Sequence, residues 1–218
     1  MNNISSKTIF CFWTGTNQPS QQRATCLQQL KEVARCNVIL ITPLSLKEYI
    51  LETEPLHPAY EFLSETHKSD YLRTYFMHFY GGGYSDIKCT TGTWIDQFEN
   101  LQNSDKWITG YKEINSGVAY QPYVNYWPEL IGNGAYICKP KTPLTEEWYT
   151  SMILFLDTKL DALKQYPSTF PQDRAEVSNG KYPIEWNEML GRIFHRVCYK
   201  YKDQLMNTLP ISIFHSYR

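Results

Sequence analysis

No apolar run in this chain approaches the ~18 residues a helix needs to cross a bilayer. Met1–Lys7 is polar and only Ile9–Trp13 is apolar after it, so no secretory leader is expected. Neither sign of charge is in excess: 21 Lys and Arg stand against 22 Asp and Glu, a net charge of −1. The basic stripe of a nucleic-acid binder is therefore missing, and an anionic ligand must be held by local groups rather than by the field of the whole protein. The six cysteines, Cys11, Cys26, Cys36, Cys89, Cys138 and Cys198, form no CxxC pair and match no zinc spacing. Several sit inside apolar runs, where a thiol behaves as a small hydrophobe. That predicts reduced, buried thiols and a cytoplasmic setting, with peripheral attachment to a membrane left open. There is no GxxxxGK[ST] phosphate loop, which argues against a P-loop hydrolase. Repeats, low-complexity tracts and linkers are lacking too, and 218 residues fit one domain.

What the chain has in quantity is aromatic side chains: 17 Tyr, 10 Phe and 6 Trp. They are either core rings and half-buried tyrosines, or the lining of a cleft that stacks on a base or a sugar. Asn3-Ile4-Ser5 matches a glycosylation sequon, a short pattern with little weight.

Periodicity predicts an alternation of strands and helices. Thr8–Trp13 and Asn37–Ile41 read as buried strands. Between them, Ser20 caps a helix running to about Ala34 with Ala24, Leu27 and Leu30 on one face. Ser45 and Glu48 form a capping box for a short helix, Leu46–Leu51. A helix over His67–Tyr80 follows, with Leu72, Tyr75, Phe76 and Phe79 at i, i+3, i+4, i+7, and then a short strand at Tyr84–Ile87. Trp107–Tyr111 and Ala135–Cys138 are further strands, and helices are expected from about Leu144 to Gln165 and from about Ile184 to Tyr201. Strands this apolar, alternating with helices, predict an α/β fold with a mixed, mostly parallel sheet flanked by helices.

Chemistry concentrates in His67–Lys88. On a wheel of about 100° per residue, Asp70 and Arg73 lie about 60° apart and away from the Leu72/Phe76/Phe79 face. By themselves they read equally as an ion pair on a solvated face. Gly81-Gly82-Gly83 is more glycine than one helix cap needs, which points to another chain segment or a ligand approaching the backbone. Tyr84-Ser85-Asp86-Ile87-Lys88 then puts a carboxylate at the end of a strand, where open α/β sheets bind ligands.

The run SDYLR, seven residues, GGGYSD, together with IFCFWTG at the first strand, resembles GT-A-type sugar transferases. It is most similar to the capsular polysaccharide synthesis family, with likeness to the Asp-x-Asp sugar-binding transferases and the glucosyltransferase domains of clostridial toxins. The resemblance implies a GT-A-like, Rossmann-related single domain over 1–218, with about 1–95 holding a nucleoside-diphosphate sugar and about 96–218 facing a glycan or lipid-linked glycan acceptor. It implies that Trp13 stacks on the base, that Thr14 and Gly15 give backbone contacts, and that Asp70 and Arg73 hold ribose and sugar. Gly82, Gly83, Tyr84 and Ser85 would border the donor pocket, Asn133 would lie near the sugar, and Asp86 would match the first acid of Asp-x-Asp.

Lys88 departs from that pattern, standing where the second acid would ligate Mn²⁺ or Mg²⁺. Two readings stay open. Lys88 neutralises the diphosphate in place of a metal, or a metal is held by Asp86, the diphosphate and another residue such as His215. A base for the acceptor hydroxyl would come from Glu185, Glu188 or Asp173, although carboxylates at a helix start also serve the helix dipole. The lost acid leaves a second possibility as well, a module that binds nucleotide or glycan without turnover.

Overall fold

The structure is a computed structural model and describes residues 7–215. The Asn3 sequon, most of the polar N-terminal stretch and Ser216–Arg218 lie outside the described residues. The elements in chain order are β1 (Thr8–Phe12), α1 (Gln21–Ala34), β2 (Asn37–Ile41), α2 (Pro43–Leu46), α3 (Glu65–Phe79), β3 (Gly82–Ser85), α4 (Ile95–Gln102), β4 (Ile108–Lys112), β5 (Ile131–Cys138), α5 (Pro143–Gln165), α6 (Gly191–Lys200) and β6 (Leu205–Met206). The strands form a six-stranded sheet in the order β2-β1-β3-β5-β4-β6. β1 pairs in parallel with β2 and with β3, and β4 with β6, while β5 runs antiparallel to both its neighbours. The fold is thus α/β with a mixed, mostly parallel sheet and helices packed against it.

β1 is buried at every residue, as a strand between two parallel neighbours must be. β2, at the sheet edge, is only partly covered, which is less than its apolar sequence suggested. Most of the aromatic abundance belongs to the interior. Tyr71, Tyr75, Phe76, Tyr84, Tyr136, Trp148 and Phe194 are all buried, and Tyr136 packs between Tyr84, Trp148 and Phe194 at ring separations of 5.3, 5.7 and 5.2 Å. α3 begins at Ser64, whose hydroxyl accepts the His67 amide. This helix is sunk in the protein on nearly every side: His67, Asp70 and all residues from Tyr71 to Met77 are buried.

Several expectations are corrected. The short helix lies earlier than the Ser45/Glu48 capping box implied. It spans Pro43–Leu46, and Ser45 Oγ accepts the Thr42 amide at 3.0 Å, so Ser45 closes the box as its third residue. The last helix starts at Gly191 rather than Ile184, and Trp186 stays 40% exposed because residues 184–190 are irregular and turn backbone rather than helix. All six cysteines are free, but Cys36 and Cys89 are only partly buried.

The glycine run is explained by the protein itself. β3 starts at Gly82 rather than Tyr84, and Gly81 and Gly82 have φ of +65° and +82°. A Cβ on Gly82 would lie 2.9 Å from the Thr8 carbonyl oxygen of β1, and one on Gly83 would press on Ile9, Trp94 and Phe98 at 3.1–3.3 Å. Of the two alternatives, a neighbouring segment is what approaches Gly82 and Gly83. They let β3 lie close against β1. We therefore expect Gly82→Ala to lower stability by at least about 2 kcal/mol, from a strained φ plus a backbone clash, read by urea denaturation.

Candidate functional site

β1 and β3 are parallel neighbours, so their carboxyl ends emerge side by side, with Trp13 following one and Asp86 the other. Asp86 is anchored by its backbone: its amide donates to the Gly134 carbonyl at 2.8 Å. Its side chain receives three groups. The Tyr84 hydroxyl donates to Oδ1 at 2.5 Å, Lys88 Nζ lies 2.7 Å from Oδ2, and Arg73 Nη2 lies 3.6 Å from Oδ1. Arg73 reaches this point from the middle of α3. It pairs with Asp70 at 3.1 Å, donates to the Asn133 carbonyl at 3.0 Å, and lies over the Tyr84 ring with its guanidinium carbon 4.4 Å from the ring centre. Asp70 and Arg73 are 3% and 6% exposed, so the reading of them as a solvated surface pair is excluded. Among the predicted residues, the structure brings Asp70, Arg73, Tyr84, Asp86, Lys88 and Asn133 together in one cluster.

The turn Gly132-Asn133-Gly134 makes this packing possible. A side chain at Gly132 would run into the Tyr111 ring, and one at Gly134 would come within 3.3 Å of both Asp86 Oδ2 and the Tyr111 hydroxyl. Tyr111 was missed by sequence reasoning as a site residue, although it was placed in a strand. Its hydroxyl accepts the Gly134 amide at 3.3 Å. Phe214 was also missed. Its ring lies 4.5 Å from Lys88 Nζ and 5.8 Å from the Tyr111 ring, brought there because Ile213 donates its amide to the Cys89 carbonyl. No periodicity marks either residue.

The two carboxyl groups differ in state. Burial raises the Asp70 carboxyl, the Arg73 guanidinium lowers it, the charge of Asp86 raises it again, and the outcome is about 7. Burial would raise Asp86 as well, but Lys88 and Arg73 outweigh it and hold the group near 2. Among the buried side-chain atoms left without a hydrogen-bond partner in the described residues, Arg73 Nε and the Tyr136 hydroxyl belong to this neighbourhood. Buried polar atoms are rarely left so.

Other predicted residues fall elsewhere or serve other purposes. Trp13 is partly exposed and donates from Nε1 to the Asn17 carbonyl at 2.6 Å. Thr14 Oγ1 donates to the Glu65 carbonyl at 2.7 Å, tying the loop after β1 to the start of α3. Gly15 faces Asn17. Ser85 is buried and its hydroxyl donates to the Asp86 carbonyl at 2.8 Å. Glu185 and Glu188 do not begin a helix, so the dipole role falls away. Glu185 pairs with Arg192, while Glu188 pairs with Lys159 at 3.0 Å and accepts the Glu185 amide at 3.0 Å. Asp173 is buried and accepts from the Thr169 amide and hydroxyl at 3.0 and 3.3 Å, a turn-forming role. His215 is exposed at the end of the described chain.

A divalent cation suits this donor set poorly. The hard oxygens it needs would come from Asp86, whose Oδ2 holds an ammonium and whose Oδ1 holds a phenol and faces a guanidinium. Among the described residues no group of three or more His, Cys, Asp or Glu side chains is placed to hold a metal ion. Two cavities have linings that include none of the cluster residues. One of about 340 Å³ sits between Pro128–Ile131 and Lys202–Thr208, and one of about 490 Å³ is lined by Phe170, Pro171, Gln172, Arg174 and Val177.

The Asp70 shift carries a sign. Its folded value, about 7, exceeds the ordinary 3.8, so the native state binds the extra proton and Asp70 costs stability progressively as pH rises between those values. Asp86 does the opposite, contributing stability that is lost as pH falls from about 4 towards 2. We expect Asp70→Asn to gain stability relative to the parent as pH rises from 4 to 8, measured by denaturant midpoints across that range. A difference independent of pH would contradict the assignment.

A family model described as "Capsular polysaccharide synthesis protein" matches residues 1–153. No curated protein sequence matches the chain. Among solved structures, the "PaToxG Glycosyltransferase" is similar at 14% identity and a TM-score of 0.49, over 89% of this chain and 69% of that one, a likeness too distant to add to the fold described above. The family match includes both β1 with its Trp13 loop and the whole of α3 and β3, and on it the chain belongs to the capsular polysaccharide synthesis protein family.

Proposed function

We propose that the protein is a GT-A-type glycosyltransferase. It moves a sugar from a nucleoside-diphosphate sugar to a glycan or lipid-linked glycan acceptor, in the making of a capsule or surface polysaccharide. The observation that carries this reading is the buried chain of charge Asp70–Arg73–Asp86–Lys88 at the carboxyl ends of β1 and β3. Family membership supports it. A crevice at strand carboxyl ends is where an open α/β sheet receives a ligand. The groups there suit a molecule with hydroxyls at one end and phosphates in the middle.

In this reading Trp13, partly exposed after β1, stacks on the base, and the backbone of Thr14 and Gly15 borders it. Asp86, ionised and the most exposed of the four charged members of the cluster, accepts ribose or sugar hydroxyls. Arg73 offers its unpartnered Nε–H, and Tyr136 its unpartnered hydroxyl. Tyr84 and Asp70 fix Asp86 and Arg73 in place. The chemistry needed is stabilisation of a leaving diphosphate and of an oxocarbenium-like sugar by groups oriented beforehand. Neither Glu185 nor Glu188 is proposed as base, because each is already committed to an ion pair.

The test is to incubate the protein with UDP-, GDP- and TDP-sugars and measure release of nucleoside diphosphate. We expect turnover of at least one donor, and a loss of about a hundredfold or more in Asp86→Ala and Asp70→Asn, with both variants still melting cooperatively. Full activity of Asp86→Ala would sink the site. Stabilisation by a nucleotide with no turnover of any donor would instead make the protein a binding module.

A further inference from the structure

The residue in position to meet the diphosphate is a lysine already seated on the carboxylate that would otherwise hold a metal. Its ammonium is 2.7 Å from Asp86 Oδ2 and the residue is only 8% exposed. An ion bound to Asp86 in the Asp-x-Asp manner would have to evict it. Tyr84 fills the other oxygen at 2.5 Å, and Arg73 stands behind it at 3.6 Å. The cationic role is therefore already taken by two side chains, one from α3 and one from the loop after β3.

We propose that Lys88, with Arg73 beside it, replaces the divalent cation, so that the nucleoside diphosphate is bound and its leaving charge neutralised without any metal. This rests on the sugar-transfer reading given above. When the bond between the anomeric carbon and the diphosphate oxygen breaks, its electron pair stays on that oxygen. The Lys88 ammonium and the Arg73 Nε–H balance the added negative charge. The acceptor hydroxyl oxygen forms the new bond to the anomeric carbon and releases its proton to solvent. An ammonium is a compact charge with three donors, suited to phosphate oxygens. Phe214, half exposed and 4.5 Å from Nζ, is the ring past which the phosphates approach.

The experiment measures two things separately. Mn²⁺ binding is followed by electron paramagnetic resonance on the protein alone. Binding of UDP and of GDP is followed by calorimetry, in chelator and in Mn²⁺. We expect the parent protein to bind no Mn²⁺ by itself, and the nucleotide it selects to bind within about twofold equally in both conditions. Lys88→Met should weaken that nucleotide by about tenfold or more whatever the metal, while Lys88→Arg, which keeps the charge if the smaller variant fails to fold, should retain it. Lys88→Asp should acquire bound Mn²⁺ and recover nucleotide affinity only in its presence. Tightening of the parent's nucleotide binding by about tenfold in Mn²⁺, or unchanged affinity of a folded Lys88→Met in chelator, would overturn the proposal. Should neither nucleotide bind in any condition, the sugar-transfer reading fails. The Mn²⁺ titrations of the parent and of Lys88→Asp then still decide whether residue 88 excludes the metal.

Discussion

The site depends on one buried guanidinium. Arg73 sits in the middle of a helix that is covered on nearly all sides, where an unpaired charge would cost several kcal/mol. It is tolerated because four directions are filled: Asp70 on its own helix, the Asn133 carbonyl on β5, Asp86 after β3, and the Tyr84 ring beneath. Those partners belong to three different elements. Arg73 therefore fixes α3, the end of β3 and the start of β5 relative to one another, and the charged groups between them come along. The Gly132-Asn133-Gly134 turn is the backbone's answer to the same demand, since bulk at either glycine would push Tyr111 or Asp86 out of place.

Around that cation two aspartates have been given opposite characters. Asp70 has one cationic partner and deep burial, and its carboxyl rises to about 7. Asp86 has Lys88 as well, more exposure and a phenol donor, and falls to about 2. The difference is electrostatic rather than chemical: the same side chain is kept charged where it is partly exposed and driven towards neutrality where it is fully buried. That division keeps one fixed negative charge at the cluster while sparing its interior self-repulsion.

Much of this was legible in the chain. The alternating strand and helix pattern gave the mixed sheet, and the SDYLR and GGGYSD runs located Asp70, Arg73, Tyr84 and Asp86, because those residues are close in sequence and their spacing reflects one helix and one strand. Periodicity could not reveal that α3 is buried all round, since its polar residues are hidden by pairing with other elements rather than by being apolar. Gly82 and Gly83 show the same limit: glycine shows that something is near, and only the sheet shows that Thr8, Ile9 and Trp94 are. Trp186 lies in the stretch expected to be helical from about Ile184, but residues 184–190 form no helix and leave it exposed. Tyr111 and Phe214 reach the site from remote parts of the chain, and no local pattern carries that information.

Charge balance explains why a single residue can decide the character of such a site. With an acid at position 88, the cluster would hold three carboxylates, at Asp70, Asp86 and residue 88, against the single guanidinium of Arg73. Negative charge would be left over in a partly buried cluster, and a divalent cation is the natural way to cancel it. With Lys88, two cations face two carboxylates, of which Asp70 is pushed towards its neutral form. An added divalent ion would then bring an excess of positive charge into a low-dielectric space and meet a fixed ammonium at close range, a repulsion water can screen only weakly there. In the proposal made above, the same exchange that removes a ligand also removes the reason for the metal, and position 88 is self-consistent as it stands.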